Sequence, residues 1–390
     1  MFPGKKFIVL KINPFFKDRN KTDNLKDPHT PRFDALTGLR AIAAMMIFGF
    51  HLRKFWVSHL PGFLVRLNNE FQCGVSIFFV LSGFLIAYTY QDRPLDSSKD
   101  YWKYTGIRLA RIFPVYLLLL TAKYASSGFP PVKETFLNYT LLKGFSDIYN
   151  LTGIPQAWSL TVEVTFYFLA PWIYMIGQRK TWLPVIYGIT GFFLVTALGL
   201  WAYKTGNNRD SWFYNYLFVL NATFFGRFLE FYMGTLLAFV IRTPGVPHAY
   251  KVRYTVTGLG GILFSMFLVN CCAPNGFSPG TNNLDGVLIR NGLLPVFTAL
   301  FIYGLIKETT WVQRLLSSRV LILLGNSSYI FYLIHINFGY YTLAKIRLFP
   351  DYNFTFLWLV SIVIYLLVER PLYRLAKKLI KGSSPVSVIV

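Results

Sequence analysis

Acidic residues are scarce in this chain: 17 Asp and Glu stand against 39 Lys and Arg in 390 residues, a formal net charge of +22. Charge of either sign is thin, at 14% of residues, where soluble domains carry about 25%. That shortfall excludes an ordinary soluble globular fold. Only three cysteines occur, Cys73, Cys271 and Cys272, two of them adjacent. There is therefore no disulfide framework and no Cys-x-x-Cys metal pattern, and no metal is expected. No internal repeat or low-complexity linker is found. Met1–Arg32 is basic and polar, which argues against a cleavable signal peptide.

What the chain has in quantity is apolar sequence: 54% of residues are hydrophobic. Apolar runs of membrane-spanning length recur from about residue 35 to residue 368. Only helices and closed barrels satisfy the backbone in lipid, and long runs without alternation argue for helices. The fold class expected is all-α, a polytopic integral membrane bundle of about ten transmembrane helices. The spans lie at roughly 35–52, 73–90, 107–124, 158–177, 183–202, 216–241, 255–272, 287–306, 320–341 and 354–368. The 216–241 run is long enough to be tilted or broken, and the last span is short.

The basic excess invites a nucleic-acid reading, but topology explains it better. With the N-terminus in the cytoplasm, about 27 of the 39 Lys and Arg fall on cytoplasmic segments or helix ends and about 11 outside, as the positive-inside rule requires. Only Arg227 is assigned to a span. No nucleic-acid partner is expected. The basic tails suit anionic lipid heads. The domain reading is a basic cytoplasmic leader at 1–33, a transmembrane domain at 34–374 and a cytoplasmic tail at 375–390, with no soluble catalytic domain after residue 368. Both termini are expected in the cytoplasm of a multi-pass plasma or inner membrane protein. Loops 125–157 and 273–286 are expected outside.

Against this apolar background a few polar residues stand out. Arg40 and His51 lie in one apolar stretch, eleven positions apart. Eleven steps of ~100° put both on one helix face, separated by roughly 16 Å of rise. Intramembrane charge is costly and usually faces a cavity or site. The alternative is a snorkelling arginine plus a histidine bonded to a neighbouring helix. Arg108 and Arg111 are i,i+3 partners on the same side of the membrane as Arg40. Three guanidiniums there suit phosphate binding, and topology-setting charge is the other reading. Ser82 and Gly83 allow close helix approach. Glu163 lies about one turn inside the fourth span, with Tyr167 its i+4 neighbour. That carboxylate either orients His51 or forms a structural ion pair with an arginine. Arg227 and Glu230, i,i+3 in the sixth span, are expected to neutralise each other. His335 is a second intramembrane histidine that bonds across helices or lines the same cavity. His29, His59 and His248 fall in loops and carry no signal.

Taken together these segments resemble the membrane-bound acyltransferase-3 family. Thr37-Gly38-Leu39-Arg40 through His51 resembles its Arg-x10-His helix. Gly74 to Ile86 is similar to its Phe-Phe-x-x-Ser-Gly-Phe-Leu-Ile helix. Arg108-Leu109-Ala110-Arg111-Ile112-Phe113-Pro114 resembles its paired arginines followed by an aromatic and a proline. Trp158-Ser159-Leu160-Thr161-Val162-Glu163 looks like its Trp-Ser-Leu-x-x-Glu segment. Leu324-Gly325-Asn326-Ser327-Ser328-Tyr329 with His335 is similar to its penultimate helix, and Glu369-Arg370-Pro371 to its close. The six pieces occur in family order across about 33–374. Many members carry Asp at the positions of Thr37 and Ser76, and some carry a C-terminal esterase-like domain not found here.

The resemblance implies an O-acyltransferase that moves an acyl group from cytoplasmic acyl-CoA, usually acetyl-CoA, to a hydroxyl of a surface or lipid-linked carbohydrate or glycolipid. By that analogy His51 is the essential catalytic histidine, with Glu163 beside it in the catalytic set. Arg40, Arg108 and Arg111 then serve donor binding or site architecture. Ser82, Tyr167 and His335 are candidates for substrate binding or site architecture. The rival class is a transporter, which inverted repeats or broken helices in matching halves would favour; no such symmetry is found.

Overall fold

Long apolar runs form helices that pack into a bundle. The computed structural model describes residues 33–56, 61–90, 97–177, 183–205, 212–242, 253–273, 278–342 and 350–381. The basic leader expected at 1–33 lies, Phe33 apart, outside the described residues, as does the tail beyond 381. Among the described residues there is no strand, and nine helices are long and apolar enough to cross a membrane. The chain is a multi-pass membrane protein.

Four helices position the site: α1 (Asp34–Trp56), α3 (Gly74–Tyr90), α4 (Ser98–Ser127) and α6 (Trp158–Gly177). Short α2 (Gly62–Asn69) leads from α1 into α3, and α5 (Val132–Tyr139) lies in the loop before α6. The fourth span expected from the sequence, 158–177, is a 20-residue helix as read. Ser159, Glu163 and Tyr167 on it line a cavity described below.

The long 216–241 run is broken at Thr223 into α8 (Tyr216–Ala222) and α9 (Phe224–Arg242), with α7 (Leu183–Thr205) before them. A helix end strands its last carbonyls. Here the Asn221 carbonyl accepts Arg227 Nε–H at 2.8 Å and the Leu220 carbonyl accepts Asn291 Nδ2–H at 2.9 Å. The α3–α9 contact is close because glycines face backbone: a Cβ on Gly83 would lie 2.1 Å from the Phe231 oxygen, and one on Gly234 2.0 Å from that of Val80. This is the small-residue packing of membrane helices.

Beyond α9 come α10 (Tyr254–Cys271), α11 (Leu284–Lys307), α12 (Trp311–Leu316) and α13 (Arg319–Ile334), the last continued by a π-helical stretch, His335–Thr342. The closing segment exceeds the short span expected. Helix α14 (Pro350–Ile364) runs through a π-helical turn, Tyr365–Glu369, into α15 (Arg370–Lys381), and the apolar run extends over Phe354–Ile380. Positions 375–381, expected in the tail, are therefore helical. Leu372, Leu375 and Leu379 are exposed on α15. Their spacing separates them from Arg370, Arg374, Lys378 and Lys381 on the helix surface.

The loop between α4 and α6 is an ordered cover. Buried Lys143 donates from Nζ to the carbonyls of Thr152 at 2.5 Å and Ile154 at 2.6 Å, and Lys123 donates to that of Gly153 between them. Burial first, then the nearby Lys123 ammonium, pushes the Lys143 pKa down to about 7.

Candidate active site

Among the described residues, two cavities of the bundle gather the polar side chains. The first is lined by Arg40 from α1, Ser82 from α3, Arg108 and Arg111 from α4, and Glu163 and Tyr167 from α6. Six of the eight residues singled out in the sequence thus meet at one place. Glu163 Oε1 accepts the Tyr167 hydroxyl at 2.5 Å and the Ser82 hydroxyl at 3.3 Å. The first bond follows from i,i+4 spacing on one helix face. Arg40 lies within electrostatic reach of Arg111, Glu369 and Glu163. The Arg108 guanidinium sits 5.2 Å from the Tyr90 ring centroid, a cation–π distance. Glu369 was quoted in the sequence only as a motif residue. Here it is buried and facing Arg111 and Arg40, with Oε2 lacking a hydrogen bond among the described residues. Its signal was a carboxylate closing an apolar run.

The second cavity contains His51. Arg227 and Arg290 line it, together with the amides of Gln72, Gln156, Asn221 and Asn282 and the ring of Trp158. Arg227 pairs with Glu230, as the i,i+3 spacing predicts. Ser76, where many relatives carry Asp, donates to Glu230 at 2.6 Å and accepts from Arg227 at 3.2 Å. Arg290, which the sequence reading does not single out, is only 2% exposed. A single basic residue near the start of an apolar run carries no signal of its own.

His335 lines neither cavity. It is buried beside the site, its ring centroid 5.2 Å from that of His51. Its Nδ1 lies 2.8 Å from the Tyr332 carbonyl. A carbonyl only accepts, so Nδ1 carries the proton and Nε2 is left as an acceptor. A π-helical stretch begins at His335, a feature that often marks functional sites.

Arg40 and His51 project from one helix into different cavities, as a separation of roughly 16 Å along one face allows. Val75 and Tyr332 line both cavities and form their shared wall. Helix α6 crosses that boundary between Trp158, on the His51 side, and Ser159, on the arginine side. The structure does not bring Glu163 to His51. The hydrogen bonds of the carboxylate go to Tyr167 and Ser82, because Glu163 lies more than a turn past the boundary. The arrangement can hold a polyanion at one end and a polyhydroxylic molecule beside an imidazole at the other.

An apolar bundle with buried arginines, a carboxylate and an imidazole facing internal cavities has the form of a membrane-embedded enzyme or carrier. The comparison with known families decides the class: the chain belongs to the acyltransferase-3 family, whose acyltransferase-domain model matches residues 33–369. It is similar to "Putative O-acetyltransferase SACOL0978" of Staphylococcus aureus (strain COL), 26% identical over 349 residues that cover 81% of this chain and 52% of that protein. Acyltransferase MdmB of Streptomyces mycarofaciens is 25% identical over 347 residues, 79% of each chain. O-acetyltransferase OatA of Staphylococcus aureus (strain NCTC 8325 / PS 47) is 24% identical over 356 residues, 82% of this chain and 52% of that one. The chain spans about half the length of the staphylococcal relatives it matches. No solved structure matches it.

Proposed function

We propose that this protein is a membrane-bound O-acyltransferase, an O-acetyltransferase by preference, that moves an acyl group from cytoplasmic acyl-CoA to a hydroxyl of a cell-surface or lipid-linked carbohydrate. One observation carries the reading: an arginine-lined cavity and a His51 cavity share a wall at Val75 and Tyr332. The phosphates of CoA dock on Arg108, Arg111 and Arg40, because guanidinium groups offer paired donors to phosphate oxygens. The pantetheine arm then brings the thioester to the Val75–Tyr332 wall. The acceptor occupies the other cavity, where amide side chains and the Trp158 ring suit a sugar. The acceptor oxygen attacks the thioester carbonyl carbon, His51 takes the hydroxyl proton, and the carbon–sulfur bond breaks. The proton passes from the imidazolium to the leaving thiolate, giving the ester and free CoA. Transfer through an acyl-imidazole on His51 is the two-step form of the same exchange. Glu163, Tyr167 and Ser82 position the inner wall of the donor cavity. The arginine end faces the cytoplasm with both termini, in keeping with the positive-inside rule, in a plasma or inner membrane whose anionic lipids the basic tails meet.

The test is CoA release from acetyl-CoA by the protein in liposomes, with and without an envelope extract, wild type beside His51→Ala. Release that needs both His51 and the extract is expected. Equal release by a folded His51→Ala protein removes the core of the proposal.

A further inference from the structure

The His51 cavity holds two guanidiniums, and only one has a matching carboxylate. Arg227 pairs with Glu230, and among the described residues this is the sole side-chain ion pair. Arg290 is equally buried, at 2% exposure. Its hydrogen bonds, from Nε at 3.0 Å and Nη2 at 2.8 Å, both end on the amide oxygen of Asn291, a neutral group. Its third nitrogen, Nη1, makes no hydrogen bond among the described residues. Two carboxylates face Arg290, those of Glu230 and Glu70. Glu230 is held by Arg227 and Ser76. Glu70 accepts the Gly280 N–H at 2.8 Å. Neither reaches ion-pair distance of Arg290.

Asn291 is itself fixed, because its Nδ2 donates to the Leu220 carbonyl freed by the break before α9. One edge of the guanidinium is therefore clamped by an amide, on a residue that lines the cavity. Arginine cannot shed its charge, and a buried charge with no carboxylate at ion-pair distance is costly. An anion entering this cavity would relieve that cost.

We propose that Arg290 is an anion seat and that the acceptor carries a carboxylate or phosphate which docks there, placing its hydroxyl at His51. The acceptor half of this statement rests on the acyl-transfer reading; the seat itself does not.

The seat is tested first by binding. Full-length protein in phosphatidylcholine nanodiscs is heated with glucuronate, glucose 6-phosphate or glucose, as wild type, Arg290→Gln and Arg290→Lys. The charged sugars are expected to raise the unfolding midpoint and glucose to leave it unchanged. Arg290→Gln should lose that shift, and Arg290→Lys, which keeps the charge and the fold, should retain part of it. An equal response of wild type and Arg290→Gln overturns the seat, as does a glucose shift as large or no shift from any of the three.

The acceptor is tested with labelled acetyl-CoA and envelope extract separated on an anion-exchange column. His51-dependent label is expected in the retained fraction, with KM for that fraction raised roughly 10- to 100-fold in Arg290→Gln and kcat changed less. Loss of acceptor activity after carbodiimide capping identifies a carboxylate, and loss after phosphatase a phosphate. Label in the flow-through, or survival of both treatments, overturns an anionic acceptor. If no fraction is labelled, the acyl-transfer reading fails together with the anionic acceptor, and the binding experiment alone decides the seat.

Discussion

The arginine cavity and the His51 cavity draw on many of the same helices, yet they manage charge differently. In the first, Arg40, Arg108 and Arg111 face one space, with Glu163 and Glu369 as the carboxylates around them. In the second, Arg227 is locked to Glu230 and Arg290 is held by an amide, while the other polar side chains on the wall are mostly neutral. A cluster of cations that outnumbers its carboxylates suits a ligand of high fixed negative charge. A wall of amides and aromatic rings suits a ligand recognised hydroxyl by hydroxyl. The two linings suit two different ligands.

The largest effect that would sharpen this contrast is on stability. Arg227→Ala leaves Glu230 buried without its partner and should cost about 3–5 kcal/mol, read as a lowered unfolding midpoint. Replacing both Arg227 and Glu230 with Met should restore much of it. If the single and double variants melt alike, the pair is not what stabilises that wall. Next comes the junction. Val75→Phe narrows the wall common to both cavities and should lower transfer about 100-fold, because a misplaced reacting group loses its near-attack geometry, while acetyl-CoA still binds. Unchanged turnover would show that the acyl group takes another route. Arg108→Ala and Arg111→Ala should each raise the acetyl-CoA KM about 10-fold, with the acceptor KM nearly unchanged. An acceptor KM that moves as much would merge the two cavities into one functional site.

The smallest effect concerns the cover over the His51 cavity. The Lys143 pKa is held down at about 7 by burial and by Lys123, so between pH 7 and the ordinary lysine range the unfolded chain binds the extra proton. Stability should therefore rise with pH across that window and stay flat below it. The wild-type midpoint should climb about 2–4 °C more than that of Lys143→Met. Parallel curves would show that Lys143 keeps its proton in both states.

Much of this was legible beforehand for a plain reason: run length gives membrane helices, and a step of eleven residues gives a shared face. Arg40, Ser82, Arg108, Arg111, Glu163 and Tyr167, which share a cavity, stand out in the sequence as polar residues in apolar runs and as parts of the family motifs, not through that step. What stayed hidden depends on contacts between distant segments. Whether Arg290 is a solvated helix-end charge or a buried one is decided by Asn291 and by the break 68 residues earlier at Thr223. The pairing of Glu163 with His51 was a guess about depth, and the boundary between Trp158 and Ser159 places the carboxylate on the other side. Helix α6 forms over 158–177 as its run length predicts, and its polar residues Ser159, Glu163 and Tyr167 line the arginine cavity.

The interruption before α9 looks at first like a hinge. The Leu220 and Asn221 carbonyls stranded there are taken up by Asn291 and Arg227, and Thr223 Oγ1 donates to the Val219 carbonyl at 2.6 Å and accepts the Phe225 N–H at 3.3 Å. A corner stitched at four points is stiff, so α8, α9 and the head of α11 should move as one block. Any admission of a large molecule to the His51 cavity then falls to the facing wall. That wall carries stitches of its own, from Lys123, Lys143 and Asn337 to the carbonyls of 152–154 and from Gln156 to those of Tyr332 and Leu333. Each of those bonds has an end in the loop before α6 rather than joining two packed helices, so they set the lower threshold. The rate at which the cavity admits its ligand becomes a property of six hydrogen bonds that never touch the reacting atoms.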